Sequence, residues 1–104
     1  MATPKFRARV VGVQVWDPLA DNVDVEVVLE DGRRFGATFF TLRSVHQLFD
    51  KNRATGECRN GLYLWAESMI LVEQVTMEVI EDTIEDLLET GELESAFSRL
   101  NDGT

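Results

Sequence analysis

Alternation of apolar and polar residues across residues 23–29 constrains this chain more than any other feature. Valine or leucine occupies every second position there, and Asp24 and Glu26 stand between them. Because successive side chains of a strand point to opposite faces, this pattern predicts a strand with one buried and one wet face. The Asp31-Gly32 pair that follows is a hairpin signal, so an antiparallel partner strand is expected.

The register of this hairpin follows from the need to keep its apolar side chains on one face. A two-residue turn would set Val27 against Gly36 and leave the apolar face poorly filled. A three-residue loop with Gly32 in the left-handed conformation brings the two apolar faces into phase. The pairs predicted by this bulged turn are Val23 with Phe39, Val25 with Ala37 and Val27 with Phe35.

Helices and short strands account for the rest of the chain. Thr41 and Thr76 each precede a segment with helical spacing of apolar residues, and threonine is a good N-cap. Gly91 is a natural helix terminator. The other predicted elements are a strand at 5–16 bent at Gly12, a helix at 42–52, strands at 62–66 and 69–73 or one bent strand across both, and helices at 76–90 and 93–100.

This order of elements predicts an α+β fold: an antiparallel sheet of four or five strands, in the order β-β-β-α-β-β-α-α, with helices on one face. The stripes of the first two helices are expected to cover the valine face of the sheet, the first through Leu42, Val45, Leu48 and Phe49. At 104 residues the chain is expected to be a single domain over 1–104, with an ordered core at about 5–100. No apolar run suits a signal peptide or a membrane span, so a cytoplasmic protein without membrane contact is expected.

The sequence has few residues that could serve in nucleophilic catalysis or metal binding. Cys58 is the single cysteine and His46 the single histidine, which excludes an internal disulfide and disfavours a zinc site. The glycines are scattered and form no phosphate-binding loop. We therefore predict no catalytic, cofactor-binding or metal-binding residues. Two alternatives to this prediction are a catalytic dyad of Cys58 and His46, and a divalent-cation site on the paired carboxylates of the helix at 76–90.

Charge is distributed unevenly along the chain. Residues 67–104 contain eleven acidic residues and one basic residue, which gives this part a net charge of −10. The whole chain has a net charge of −9, so residues 1–66 carry a net charge of +1. This balance argues against nucleic acid as a partner, because phosphate binding requires clustered cations. Six acids fall on the outer face of the helix predicted at 76–90: Glu78, Glu81, Asp82, Glu85, Asp86 and Glu89. A docking face for a basic protein and a merely solvated face are the two interpretations.

Aromatic residues are the other candidates for an interface. Trp16, Tyr63 and Trp65 belong to the residue types that dominate binding hot spots. In a small chain such residues are more often core, and the apolar run at 62–66 predicts that both faces of its strand are covered. We therefore expect all three side chains to be buried within the monomer, with partner contact as the alternative.

Five runs carry a likeness to known sequences: ATFFT at 37–41, GEC at 56–58, NG at 60–61, LYLWAESMILVE at 62–73, and the helical tail at 84–97. With them the chain resembles a family of short uncharacterised bacterial proteins of unknown function. The resemblance implies a bacterial origin and a stand-alone small domain. It implies no activity, ligand, partner or site residue.

By elimination, the sequence predicts a non-enzymatic protein-binding domain, an accessory, regulatory or immunity-type factor that docks a basic protein through the six acids. One alternative is a small hydrolase or transferase that uses Cys58 or clustered carboxylates. The other is a homodimeric structural module in which a sheet edge or the aromatic strand pairs with a second copy.

Overall fold

The valine-rich hairpin forms the centre of the structure. A computed structural model describes residues 3–101, and the elements within that range are numbered in chain order. The strands are β1 (Phe6–Val11), β2 (Val23–Leu29), β3 (Arg34–Phe40), β4 (Met69–Leu71) and β5 (Ser98–Leu100). The helices are α1 (Leu42–Thr55), α2 (Glu57–Gly61), α3 (Met77–Thr90) and α4 (Leu93–Ala96).

The five strands form one mainly antiparallel sheet. β2 lies between β1 and β3, antiparallel to both. The far side of β3 is shared: β4 pairs in parallel with its C-terminal half, and β5 pairs antiparallel with its N-terminal half. β1 is consequently one edge of the sheet, and β4 and β5 together form the other. The predicted α+β class is confirmed.

The predicted hairpin register is also confirmed. Val27 pairs with Phe35, and the other two predicted pairs are present. Gly32 has a φ of 91°, the left-handed conformation that the bulged turn requires. The Gly32 N–H donates to the carbonyl of Leu29 at 2.9 Å and closes the loop.

A cluster of buried apolar side chains lies on what we call the inner face of the sheet. Its strand members alternate along β2 and β3, and helical residues cover them from one side. Ile80 and Ile84 of α3 have no exposed surface, and the ring of Phe97 meets Phe39 edge-on at a centroid distance of 6.0 Å. The cluster consists of Val23, Val25, Val27, Leu29, Phe35, Ala37, Phe39, Val75, Ile80, Ile84, Leu93 and Phe97.

Both predicted N-caps form. The Thr41 hydroxyl accepts the Ser44 N–H at 3.1 Å, and the Ser44 hydroxyl accepts the Thr41 N–H in return, which completes a capping box. Thr76 caps α3 by accepting the Val79 N–H at 3.1 Å. These caps satisfy backbone donors that a helix leaves without an internal partner.

Two predicted elements differ from the structure near β4 and β5. Residues 62–66 form no strand, so one strand rather than two separates α1 from α3. The last predicted helix ends at Ala96, because Phe97 turns to an extended conformation and Ser98–Leu100 pairs with β3. The open N-terminal half of β3 offers those residues ladder hydrogen bonds that a continued helix would forgo.

The first helix also differs in its packing. α1 contributes no side chain to the inner-face cluster, and Leu42, predicted to be buried, is 66% exposed. The first strand stops at Val11, because Gly12 adopts a φ of 86° and turns the chain out of the ladder. Residues 1, 2 and 102–104 of the predicted domain lie outside the described residues. No helix in the described part of the chain has the length and apolar character to cross a membrane.

Candidate docking surfaces

Helix α3 presents the six predicted acids to solvent, and we call this surface the acidic face. Every one of them is exposed, whereas Ile80 and Ile84 on the opposite side of the helix are fully buried. The apolar stripe fixes the rotation of the helix, so the packing of two isoleucines directs all six carboxylates outward. The acidic face consists of Glu78, Glu81, Asp82, Glu85, Asp86 and Glu89.

The acidic face has no internal counter-charge. None of its six carboxylates forms an ion pair with another residue of the range 3–101. Glu89 accepts a hydrogen bond from the Thr3 hydroxyl at 3.0 Å, which is a neutral contact. The last turn of α3 has no basic residue, so Asp86 and Glu89 lie near the negative end of the helix dipole. Glu78 lies in the first turn, where the dipole favours an acid, but Asp86, Glu89 and the repulsion among neighbouring carboxylates oppose helix stability.

The aromatic residues divide into two groups. Trp16 is half-buried, packs against the core and donates its indole N–H to the carbonyl of Val75 at 2.6 Å. Tyr63 and Trp65 are 49% and 71% exposed, so the prediction that they are buried is wrong. Sequence alternation suggested a covered strand, but residues 62–66 have no strand partner among the described residues and leave these rings in solvent.

An apolar groove of about 430 Å³ lies where the start of α1 approaches β4. Leu19, Leu42 and Leu71 line it, and each of these side chains is at least half exposed. Arg43 and Glu73 also line the groove. Sequence reasoning missed it, because Leu19 and Leu71 come from segments that only the tertiary fold brings together.

Cys58 and His46, the candidates for nucleophilic catalysis, do not interact with each other. His46 is exposed on α1, Cys58 is half-buried in α2, and no hydrogen bond connects them. Cys58, Arg59 and Asn60 all have left-handed backbone angles, with φ between 51° and 59°. Within residues 3–101, no group of three or more histidine, cysteine or acidic side chains is placed to hold a metal ion. The paired carboxylates of α3 therefore have no third ligand within this range.

The face of the sheet turned away from the helices, the outer face, carries a charge network centred on Glu26. Its carboxylate accepts a hydrogen bond from Arg34 at 2.9 Å and lies 3.6 Å from the guanidinium of Arg9. The hydrogen bond from Arg34 is the main cause that holds the pKa of Glu26 below its ordinary value, against the opposing effect of burial. Arg9 and Glu26 are direct cross-strand neighbours in the register of β1 and β2.

Comparison of the chain with protein-family models, with curated proteins and with solved structures found no match. The resemblance to short bacterial proteins therefore stays a prediction.

Proposed function

We propose that this protein is a non-enzymatic, cytoplasmic bacterial binding domain that docks a basic protein through its acidic face, in an accessory, regulatory or immunity-type role. The observation that supports the proposal is that the carboxylates of the acidic face form no ion pair within residues 3–101. Carboxylates three and four residues apart on a helix repel one another, at a cost of about 0.2–0.5 kcal/mol for each adjacent pair. A partner that supplies cations removes this repulsion when it binds.

The physical consequence is electrostatic steering. Concentrated charge of one sign raises the rate at which a complementary partner associates, and added salt suppresses that rate. Exposed charges are screened beyond about 8 Å at physiological ionic strength. Docking through the acidic face should therefore show a steep salt dependence in the association rate.

The experiment replaces three acids without changing the shape of the helix. Glu81, Glu85 and Glu89 are changed together to Gln, and the tagged protein is used to capture partners from a bacterial lysate at low and at high salt. We expect the triple variant to fold, to be slightly more stable than the wild type, and to lose a basic partner that the wild type captures at low salt.

A matched control removes the same charge elsewhere. Glu30, Glu57 and Glu73 are exposed and lie outside α3, so their joint change to Gln alters the net charge equally. The control should retain the partner. If the α3 variant captures the same partners as the wild type, the acidic face is only a solvated surface. A molar mass near twice 11.8 kDa in solution would instead favour the homodimeric module.

A further inference from the structure

The β1 edge of the sheet gathers positive charge in an otherwise acidic molecule. Lys5, Arg7 and Arg9 lie within five residues of a chain whose net charge is −9, and we call them the β1 cations. Within residues 3–101, β1 pairs with β2 and with no other strand. Its second side is therefore an open edge of the sheet.

The backbone of this edge has hydrogen-bonding groups to offer. The N–H of Glu30 donates to the carbonyl of Lys5 at 3.0 Å, which fixes the phase of the antiparallel ladder. Residues alternate along such a ladder between bonding the neighbouring strand and pointing away from it. Phe6, Ala8 and Val10 accordingly direct their N–H and C=O groups away from β2, where no described strand meets them.

The side chains of the β1 cations are available as well. Arg7 is exposed and forms no ion pair with any residue of the described range. Arg9 lies 3.6 Å from Glu26, whose carboxylate is held more closely by Arg34 at 2.9 Å. Turning Arg9 toward a new carboxylate would therefore leave Glu26 paired.

Two hollows flank Arg7 on the outer face. One, of about 410 Å³, extends toward Arg9, and the other, of about 340 Å³, extends toward Lys5. Both are lined by Arg7 and by the half-buried Val28. Two carboxylates line these hollows, Glu26 in the first and Glu30 in the second. Glu26 is paired with Arg34, so the three β1 cations outnumber the one lining carboxylate, Glu30, that has no basic partner in the described range.

We propose that β1 binds an acidic, extended segment of a partner protein as an additional strand of the sheet. The backbone of the segment pairs with Phe6, Ala8 and Val10, and its alternate carboxylates lie over Arg7 and Arg9. Strand addition supplies affinity through the main chain, and side chains on one face supply specificity. This surface is separate from the acidic face, because the β1 cations point away from the helices.

Charge also argues against two other occupants. If β1 of a second copy added antiparallel across Ala8, each Arg7 would face the other copy's Arg9, and like charges directly opposite destabilise a strand pair. A nucleic acid would meet the repulsion of a molecule with nine excess negative charges. An acidic peptide places only a few negative charges, all of them next to the β1 cations.

The test uses a synthetic peptide of seven residues in which valine alternates with glutamate, together with the same peptide carrying glutamine for glutamate. Each is titrated into ¹⁵N-labelled full-length protein and followed by amide chemical shifts. We expect the Val-Glu peptide to shift the amides of Phe6, Ala8 and Val10 most, and the Val-Gln peptide to bind at least about fivefold more weakly.

Variants of the protein test whether the peptide binds through the positive charge of β1 in particular or through positive charge anywhere on the molecule. Arg7→Gln with Arg9→Gln should weaken binding of the Val-Glu peptide by about fivefold to tenfold, because two exposed ion pairs are lost. Arg53→Gln with Arg59→Gln removes the same charge from α1 and α2 and should leave the affinity unchanged. Equal binding of both peptides, equal effects of both double variants, or shifts centred on β4 and β5 would each overturn the proposal. So would an oligonucleotide that shifts the β1 amides more strongly than the peptide does.

Discussion

Glu26 illustrates how a single residue couples the outer face to stability. Its side chain is only 13% exposed, yet it keeps its charge because Arg34 donates a close hydrogen bond and Arg9 lies nearby. A carboxylate in this position is stabilised in its ionised form, so its pKa falls below the ordinary value near 4.5. The interaction is therefore present only while Glu26 is ionised.

This pairing predicts a pH-dependent difference between the wild type and Glu26→Gln. A carboxyl whose pKa is lower in the folded state contributes stability above its unfolded pKa and loses that contribution as the pH falls through the folded value. We expect Glu26→Gln to be less stable than the wild type at pH 7, and the gap to narrow steadily below about pH 4.5. Urea denaturation across this range measures the gap. Glu30→Gln, which removes an unpaired carboxylate, is the control, and a gap for Glu26→Gln that is unchanged at low pH would contradict the prediction.

Sequence patterns correctly predicted those features of the helices and strands that depend on neighbouring residues. Thr41 and Thr76 cap their helices as expected, since a cap depends on residues within one turn. The alternation at 62–66 failed to predict structure, because a strand needs a partner as well as a pattern. β4 and β5 occupy the far side of β3 end to end, and this pairing of distant segments has no local signal.

Helix α2 is the element that the sequence predicts least. Gly61 marks a turn, and its φ of 77° and the 2.5 Å separation that an added Cβ would have from Arg53 explain why glycine stands there. Cys58, Arg59 and Asn60, however, take left-handed angles in succession, which costs roughly 1–2 kcal/mol for each residue that has a Cβ. Asn60 tolerates the left-handed conformation better than most residues, but Cys58 and Arg59 do not favour it, so the sequence predicts only part of this turn.

The left-handed turn predicts that glycine is tolerated at Arg59 better than alanine. Both changes remove the same exposed side chain, but only glycine relieves the steric cost of the positive φ. We expect Arg59→Gly to exceed Arg59→Ala in stability by about 1 kcal/mol, as measured by the denaturation midpoint. The same pair of changes at Gln47, which is exposed within α1, should give the opposite order, since glycine costs about 1 kcal/mol in a helix interior. Equal stability of the two Arg59 variants would mean that this residue is not left-handed.

The two charged surfaces of the molecule, the acidic face and the β1 cations, belong to different layers of the fold. Periodicity sufficed to place the six acids of α3 on one exposed surface, because a helix has a fixed angular repeat. It could not show that β1 has β2 as its only strand partner within residues 3–101, since strand order depends on which distant segments pair. The acidic face and the β1 cations thus lie on opposite sides of a sheet, and the proposed partners of the two surfaces have opposite charges.

Both docking surfaces depend on the packed core of the sheet. Val27 has no exposed surface and belongs to a cluster to which β2, β3, α3 and α4 all contribute. Val27→Asp puts a carboxyl group among apolar side chains without a partner, and we expect it to lower the free energy of unfolding by at least about 3 kcal/mol, out of the roughly 5–15 kcal/mol that holds a domain together. Circular dichroism during urea denaturation measures the loss. Val15→Asp is the matched control: Val15 is 90% exposed, so its change should stay within about 0.5 kcal/mol of the wild type. A Val27→Asp protein as stable as the control would place Val27 on the wrong face and remove the basis for both docking surfaces.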